Sequence, residues 1–301
     1  MRLDVALILR YPGLSRRKAR EVIEKGQVSL GGQIVRAAGH RVEEAASIHW
    51  DPNRRALPRA RLSLPLLHSD EALLVVDKPA GLLTVPSGPG AEGEDTALAR
   101  VRDYVRHLRP RHPYVGVVHR IDRDTSGALA FALSPAVREA LRVLFRAHRI
   151  ERRYLALVAG RPPADRGVVD LPLHHAYEGG KRRVARAGEP SRPALTRWTV
   201  SERFPGAALL EVELGTGRQH QIRIHLAHIG LPILGDPVYG AGATPAPLAV
   251  PRQMLHARLL AFDHPLGGPP VRAESAPPAD FKKAVLALRR AARGTGRASP
   301  K

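Results

Sequence analysis

The sequence predicts an α+β protein, with a mixed sheet in its larger unit and a small α/β unit ahead of it. Three observations carry this reading. From about residue 67 to 288, apolar runs of strand character alternate irregularly with helical patterns, without repeated βαβ units. Residues 1–50 hold two helix patterns and a hairpin signal that close on themselves. Residues 51–66 are rich in Arg and Pro with neither period, and read as a linker that lets the two units move.

In the first unit, Leu3 to Arg10 reads as a short helix ended by Pro12-Gly13. Ser15 is a good N-cap for a second helix, Arg16–Lys25, which Gly26 terminates. That helix shows Arg16, Arg17, Lys18 and Arg20 to solvent and keeps Ala19, Val22 and Ile23 for the core. Val28–Leu30 and Gln33–Val35 flank Gly31-Gly32, a two-residue hairpin turn that tolerates positive φ. In the larger unit, Ala72–Val76, Val115–Val118, Ala128–Leu133, Tyr154–Val158, Thr196–Ser201 and Ala208–Leu214 read as strands. Ser134-Pro135 opens a helix, Ser as N-cap and Pro at the first position, with Val137, Leu141 and Leu144 as its buried stripe. Thr216 and Gln219 have capping-box spacing, which predicts a helix to about Ile229 with Ile222, Leu226 and Ile229 on its buried face. Gly88–Asp95, Ala241–Pro251 and Gly267–Pro278 are Gly/Pro-rich loops, and residues 289–301 read as a disordered basic tail.

With 48 Lys and Arg against 28 Asp and Glu, the net charge is +20, which argues for a polyanionic partner, nucleic acid ahead of membrane or acidic protein. GC-rich coding, which raises Arg, Ala, Gly and Pro together, is the competing explanation. The absence of cysteine excludes disulfides, thiol catalysis and cysteine-ligated zinc. No signal-peptide pattern or membrane-length apolar run is present, so a soluble cytoplasmic protein is expected.

The run His119-Arg120-Ile121-Asp122-Arg123-Asp124-Thr125-Ser126-Gly127 places acids among bases, in a polar turn expected at a sheet edge. A carboxylate among guanidinium groups stays ionised and can serve as nucleophile or base; a solvated turn with a local salt bridge is the plainer reading. In the second run, Gly215–Leu226, Arg223 lies beside the buried helix face, where it can reach a carboxylate or serve as scaffold. The spacing of His220, His225 and His228 is not that of a zinc helix, so capping or RNA contact is expected of them rather than a metal.

The order Arg2-Leu3-Asp4, Ser15-Arg16, Ile23-Glu24-Lys25-Gly26-Gln27-Val28 and a glycine hairpin resembles the S-four RNA-binding domain, in which the basic helix and turn hold structured RNA. That family usually carries Asn-Gly where this chain has Gly-Gly. The larger unit resembles the RluA family of pseudouridine synthases over roughly residues 62–283. The motifs are Asp77-Lys78-Pro79-Ala80-Gly81-Leu82, His119–Gly127, Tyr154 after Arg152-Arg153, Thr216–Leu226, Gly235-Asp236-Pro237-Val238-Tyr239-Gly240, and Leu255-His256-Ala257 before His264-Pro265. Ile121 stands where that family usually has Leu, and Gln219 where it commonly has Thr or Ser.

The resemblance implies the pseudouridine synthase fold, a mixed, largely antiparallel sheet with a central cleft. It implies an isomerase that detaches uracil from ribose, turns the base and rejoins it through carbon 5, without cofactor. Asp122 would be the essential carboxylate, attacking carbon 1′ or taking the 2′ proton, with Arg223 as its salt-bridge partner and Asp124 the local competitor. Tyr154 would stack on the extruded base and move the carbon 5 proton. Arg120 would fill the gap in the helix, with His119 on the RNA side. Lys78 and Arg218 would organise the pocket or meet phosphate. The expected partner is 23S ribosomal RNA, with transfer RNA second, and a monomer is the default. A catalytically inactive RNA-binding or ribosome-assembly protein is the alternative, but it has no need to keep Asp122, Tyr154 and Arg223 together.

Overall fold

The computed structural model describes residues 1–295 apart from 36–37, 44–45, 55–61, 92, 110, 177–180, 241–247 and 249. Most of the expected linker, much of the 241–251 loop and residues 296–301 of the expected tail lie outside the described residues. The chain divides into two compact units, the second taking up at Leu62.

The first unit has helices α1 (Leu3–Arg10) and α2 (Arg16–Glu24) and strands β1 (Val28–Leu30), β2 (Gln33–Ile34) and β3 (Ile48–Trp50), in sheet order β2-β1-β3. The Ser15 hydroxyl caps α2 by accepting from Lys18 N at 3.1 Å. Gly31 and Gly32 both have positive φ, 52° and 82°, the twist that a tight antiparallel hairpin needs. Leu3, Leu7, Ala19, Val22, Ile23 and Val28 form its core. Asp4 is fully buried, and Arg2 and Arg20 donate to its carboxylate at 3.0 Å. Those two guanidinium groups, Arg2 foremost, hold its pKa down to about 2.

The second unit is built on a ten-stranded sheet. Its elements are β4 (Leu66–Ser69), β5 (Leu73–Lys78), α3 (Ala97–Leu108), β6 (Gly116–Val117), β7 (Ser126–Ala132), α4 (Pro135–Arg146), β8 (Glu151–Ala159) and β9 (Arg166–Asp170). They continue with β10 (Leu173–His174), β11 (Ser191–Arg192), β12 (Leu195–Phe204), β13 (Ala207–Leu214), α5 (Gln221–His228), β14 (Leu255–Phe262), β15 (Val271–Glu274) and α6 (Ala279–Thr295). The order is β4-β5-β7-β14-β8-β13-β12-β9, with β15 on β14 and β6 on β7, while β10 and β11 pair apart. Only β7 and β14 run parallel, so the sheet is mixed and largely antiparallel.

Strand periodicity explains the continuous apolar runs. Leu73, Val75, Ala128, Ala130 and Ala132 face a cluster with Val137 and Leu141 of α4. The alternate residues Leu74, Val76, Leu129 and Phe131 face Leu98, Val101 and Val105 of α3. Both faces are covered, so both are apolar. A third cluster packs Phe281, Val285 and Leu288 of α6 with Trp198, Phe204 and Leu210.

Four expectations are corrected. The linker does not extend to residue 66, because Leu64 is buried with Leu74 and Val76, and β4 opens at Leu66. The tail does not begin at 289, because α6 continues to Thr295 and Arg289 pairs with Glu202 at 2.7 Å. Thr216 and Gln219 form no capping box: Thr216 Oγ1 accepts from Leu195 N at 2.9 Å and donates to Gln221 Oε1 at 2.8 Å, and α5 starts only at Gln221. Nor is α5 one-sided, since every residue from Gln221 to Leu226 is buried between two apolar clusters.

Gly127, the second residue of β7, has φ 115°, and a Cβ there would lie 2.2 Å from the Ala257 carbonyl oxygen of β14. The parallel crossing of these strands therefore requires glycine. Gly127→Ala is expected to cost about 3 kcal/mol or more through combined clash and left-handed strain. Denaturant unfolding measures it, and unchanged stability would contradict this close approach.

Candidate active site

The 118–125 loop joins β6 to β7, which is an interior strand rather than the expected sheet edge. Its neighbours fix it almost residue by residue. Thr84 Oγ1 donates to Ile121 O at 2.8 Å, and buried Lys78 Nζ donates to Arg123 O at 2.8 Å. Arg252 Nη1 donates to Asp124 O at 2.9 Å, and Gln253 Nε2 to Thr125 Oγ1 at 2.9 Å. Ser126 Oγ and His256 Nδ1 share a 3.0 Å hydrogen bond, and Asp280 holds Arg252 from α6 at 2.7 Å. A polar loop so tied has little freedom to relax, which suits a group that must be aimed.

Asp122 projects from this loop with its side chain 22 % exposed, and Arg223 Nη1 of α5 donates to its Oδ2 at 3.1 Å. Arg223 also clamps the fully buried Asp236, Nε to Oδ2 at 2.7 Å and Nη2 to Oδ1 at 2.9 Å. The guanidinium lies over the Tyr239 ring at 5.0 Å. Burial alone would raise the Asp236 carboxyl, but the Arg223 hydrogen bonds and the N–H groups of Tyr239 and Val238 outweigh it and hold it below its usual value. Burial likewise opposes the charge on Arg223, and its two carboxylates overcome that. The outer edge of one positioned guanidinium is thus turned on Asp122.

His220 Nε2 stands 4.0 Å from Asp122 Oδ1, and its Nδ1 shares a 3.1 Å hydrogen bond with the Tyr239 hydroxyl. Its backbone is left-handed, φ 58°. Burial pulls its pKa down, opposed chiefly by Asp122, so the ring stays neutral at pH 7. Tyr154, on β8, is 8 % exposed. Burial raises its hydroxyl pKa, which leaves it protonated. Asp122, Tyr154, His220 and Arg223 line one cleft of about 590 Å³, a size suited to a small ligand or a single extruded nucleotide.

The family described as RNA pseudouridylate synthase matches residues 72–228, a span that holds Asp122, Tyr154 and Arg223. The S4 domain matches residues 1–48. The ribosomal large subunit pseudouridine synthase D of Xanthomonas campestris is 36 % identical, over 96 % of this chain and 89 % of that protein. This chain belongs to the RNA pseudouridylate synthase family. An enzyme of the same name from Pseudomonas aeruginosa is 33 % identical over 96 % of this chain and 92 % of its own length. An uncharacterized RNA pseudouridine synthase of Mycobacterium bovis is 36 % identical over 96 % and 94 %. Among solved structures, human RNA pseudouridylate synthase domain containing 4 superposes with a TM-score of 0.62 at 24 % identity, over 74 % of this chain and 92 % of that one. That likeness shows the shared fold.

The pseudouridine synthase cleft gathers most of the residues singled out in the sequence; Lys78 fits the first of the two parts expected of it, and His119 takes another. Lys78 is fully buried, and its three donors go to the carbonyls of Pro79, Leu82 and Arg123 at 2.7–2.8 Å. Burial pushes its pKa down to about 7. It therefore braces the loop and does not meet phosphate. His119 is not on the RNA side through charge: Nε2 accepts from Ala130 N at 3.0 Å, and the ring packs 4.9 Å from that of Phe145. Burial, with Arg152 beside it, pushes the His119 pKa down to about 3, so it is a neutral wall of the cleft.

Arg120 is exposed at the cleft, and Arg218 lines it while donating from Nε to Pro193 O at 3.0 Å. On the S4 unit, Arg16, Arg17 and Lys18 of α2 are exposed, while Arg20 is shared with buried Asp4. Sequence reasoning did not assign roles to Asp236, Tyr239, Arg252 and Gln253, and it read His220 as a cap or an RNA contact, whereas the ring makes no cap hydrogen bond and faces Asp122 and Tyr239. The Gly235–Gly240 motif was the available signal for the first two. Among the described residues no group of three His, Asp or Glu side chains could hold a metal ion, and no helix is long and apolar enough to cross a membrane.

Proposed function

We propose that this pseudouridine synthase modifies uridine in large-subunit ribosomal RNA, with Asp122 as its essential carboxylate. The observation that carries the reading is the buried Asp236–Arg223 clamp, which presents a fixed cation to Asp122 in a cleft shared with Tyr154. A silent RNA-binding protein would gain nothing from a buried ion pair aimed at a half-exposed carboxylate. In the isomerisation the N1–C1′ bond breaks, a C5–C1′ bond forms, and the C5 proton leaves as N1 takes one up. Asp122 serves by attack at carbon 1′ or by accepting the 2′ proton, and either role needs its bare oxygen. Tyr154, neutral and on the cleft wall, stacks on the base and relays the C5 proton. The target nucleotide is flipped out of its helix, and Arg120 fills the space it leaves.

The relatives named for the large ribosomal subunit and the match to the S4 domain support ribosomal RNA over transfer RNA. We place the enzyme in the cytoplasm as a monomer. Mapping pseudouridines in RNA from cells lacking the gene tests the substrate. A missing site in large-subunit ribosomal RNA is expected, and a site lost only from transfer RNA would overturn it.

Removal of residues 1–50 should weaken binding to a large-subunit ribosomal RNA transcript by at least tenfold. Turnover on a short fragment around the mapped uridine should fall less than threefold. The basic helix α2 contributes phosphate contacts to the first quantity and nothing to the second. Filter binding and single-turnover rates measure both, and a collapsed rate on the short fragment would contradict this division.

A further inference from the structure

Among the described residues Arg152 is a buried cation without a counter-charge. It lies on β8 two residues before Tyr154, so the strand period puts both on one side, and both line the cleft. The residue is 8 % exposed. Nη2 donates to Leu214 O at 3.2 Å, and the guanidinium lies 5.6 Å from the centre of the Phe145 ring. Nε is buried without a hydrogen-bond partner, and among the described residues no carboxylate lies within 4.0 Å of the group. Arg223, the other buried arginine facing the cleft, has two carboxylates.

Burying an uncompensated charge costs several kcal/mol, so such a charge calls for an anion that arrives later. Burial pulls the Arg152 pKa below its usual value, which marks the same deficit. Gly217 lies against the guanidinium: a Cβ there would come within 2.5 Å of Arg152 Nη1, so a side chain at 217 would press on the group or displace it. A second depression shares His148, Arg152, Leu214 and Thr216 with the cleft. Its other arginines, Arg149, Arg153 and Arg197, pair with Asp263, Glu151 and Glu213, so Arg152 is the arginine of that lining with no carboxylate among the described residues.

We propose that Arg152 is an anion seat in the cleft, filled by a phosphodiester of the RNA strand beside the target nucleotide. This rests on the reading of Asp122 and Tyr154 as the reaction centre. The seat gives the flipped strand a fixed register: the base goes to Tyr154, and the neighbouring phosphate replaces the missing counter-charge.

The test compares wild type, Arg152→Met and Arg152→Lys on a stem-loop RNA containing the mapped uridine. Arg152→Met should bind about ten- to hundred-fold more weakly. Its slope of log affinity against log salt should be shallower by about one, while Arg152→Lys keeps the wild-type slope. Replacing one flanking phosphate with a neutral methylphosphonate should weaken wild type by a similar factor and leave Arg152→Met unchanged. The thermal midpoint of Arg152→Met should stay level or rise, since Met removes an uncompensated charge.

A lowered midpoint with an unchanged salt slope would make Arg152 a structural brace and overturn the seat. A slower single-turnover rate without any methylphosphonate effect would place its charge on the departing uracil and also overturn it. Failure of wild type to form pseudouridine would reject the functional reading instead, and the salt slopes would still decide the seat.

Discussion

Asp122→Ala is expected to fold, to bind RNA, and to form no pseudouridine. The carboxylate is 22 % exposed, and Arg223 keeps its bidentate hold on Asp236 when Asp122 is gone. Removing a half-exposed partner from an already paired guanidinium should change stability by only about 1 kcal/mol. The chemical cost is of another order, because the reaction has no second carboxylate so placed; a fall of roughly ten-thousand-fold or more in rate is expected. Asp124 is not placed to substitute, since it does not line the cleft that holds Asp122 and its side chain pairs with Arg123 at 3.2 Å. Release of tritium from RNA labelled at carbon 5 of uridine reads the chemistry directly, and filter binding reads the RNA. Turnover within a hundredfold of wild type would reject Asp122 as the essential group.

Arg223→Met strikes both the site and the core. It leaves the fully buried Asp236 with backbone N–H donors and no cation, which costs about 3–5 kcal/mol. It also removes the cation facing Asp122, and activity should fall by roughly a thousandfold or more. The double variant Arg223→Met/Asp236→Leu separates these effects, because it abolishes the stranded charge. Its stability should recover while its activity stays lost, and recovered activity would show that the clamp is scaffold alone.

The pH dependence changes sign with the arginine. In wild type the Asp236 carboxyl is held below its unfolded value, so its contribution is present above that value and fades as pH falls through the folded pKa. In Arg223→Met, burial without a cation raises the folded pKa above the unfolded one. The variant should then be relatively most stable in acid and lose stability as pH rises towards neutrality. Denaturant midpoints between pH 4 and 8 measure this, and parallel curves for the two proteins would contradict the assignment.

The His119–Gly127 run was legible because its information is local: charged residues between two apolar strands, closed by a glycine that the β7–β14 crossing demands. The same holds for Ser15 and Ser134, whose hydroxyls cap the helices their sequences announce. What the sequence misreported depends on burial. Lys78 and His119 have the residue types of an RNA surface, but Lys78 is enclosed with its three donors on backbone carbonyls, and the His119 ring is half-buried with Nε2 bound to Ala130 N. Thr216 has the spacing of a helix cap, yet Leu195, on a strand twenty-one positions earlier in the chain, claims its hydroxyl. Asp236 stands thirteen residues beyond Arg223, and only the folded loop brings its carboxylate onto the guanidinium.

The tethers of the Asp122 loop also set an order of assembly. Arg252 reaches Asp124 across 128 positions, and His256 reaches Ser126 across 130. A chain emerging from the ribosome as far as α4 carries Asp122 but not Arg223, Gln253 or the α6 carboxylate that steadies Arg252. The loop is therefore fixed late in synthesis, after α6 has docked, so a nascent fragment holds Asp122 without the contacts that aim it.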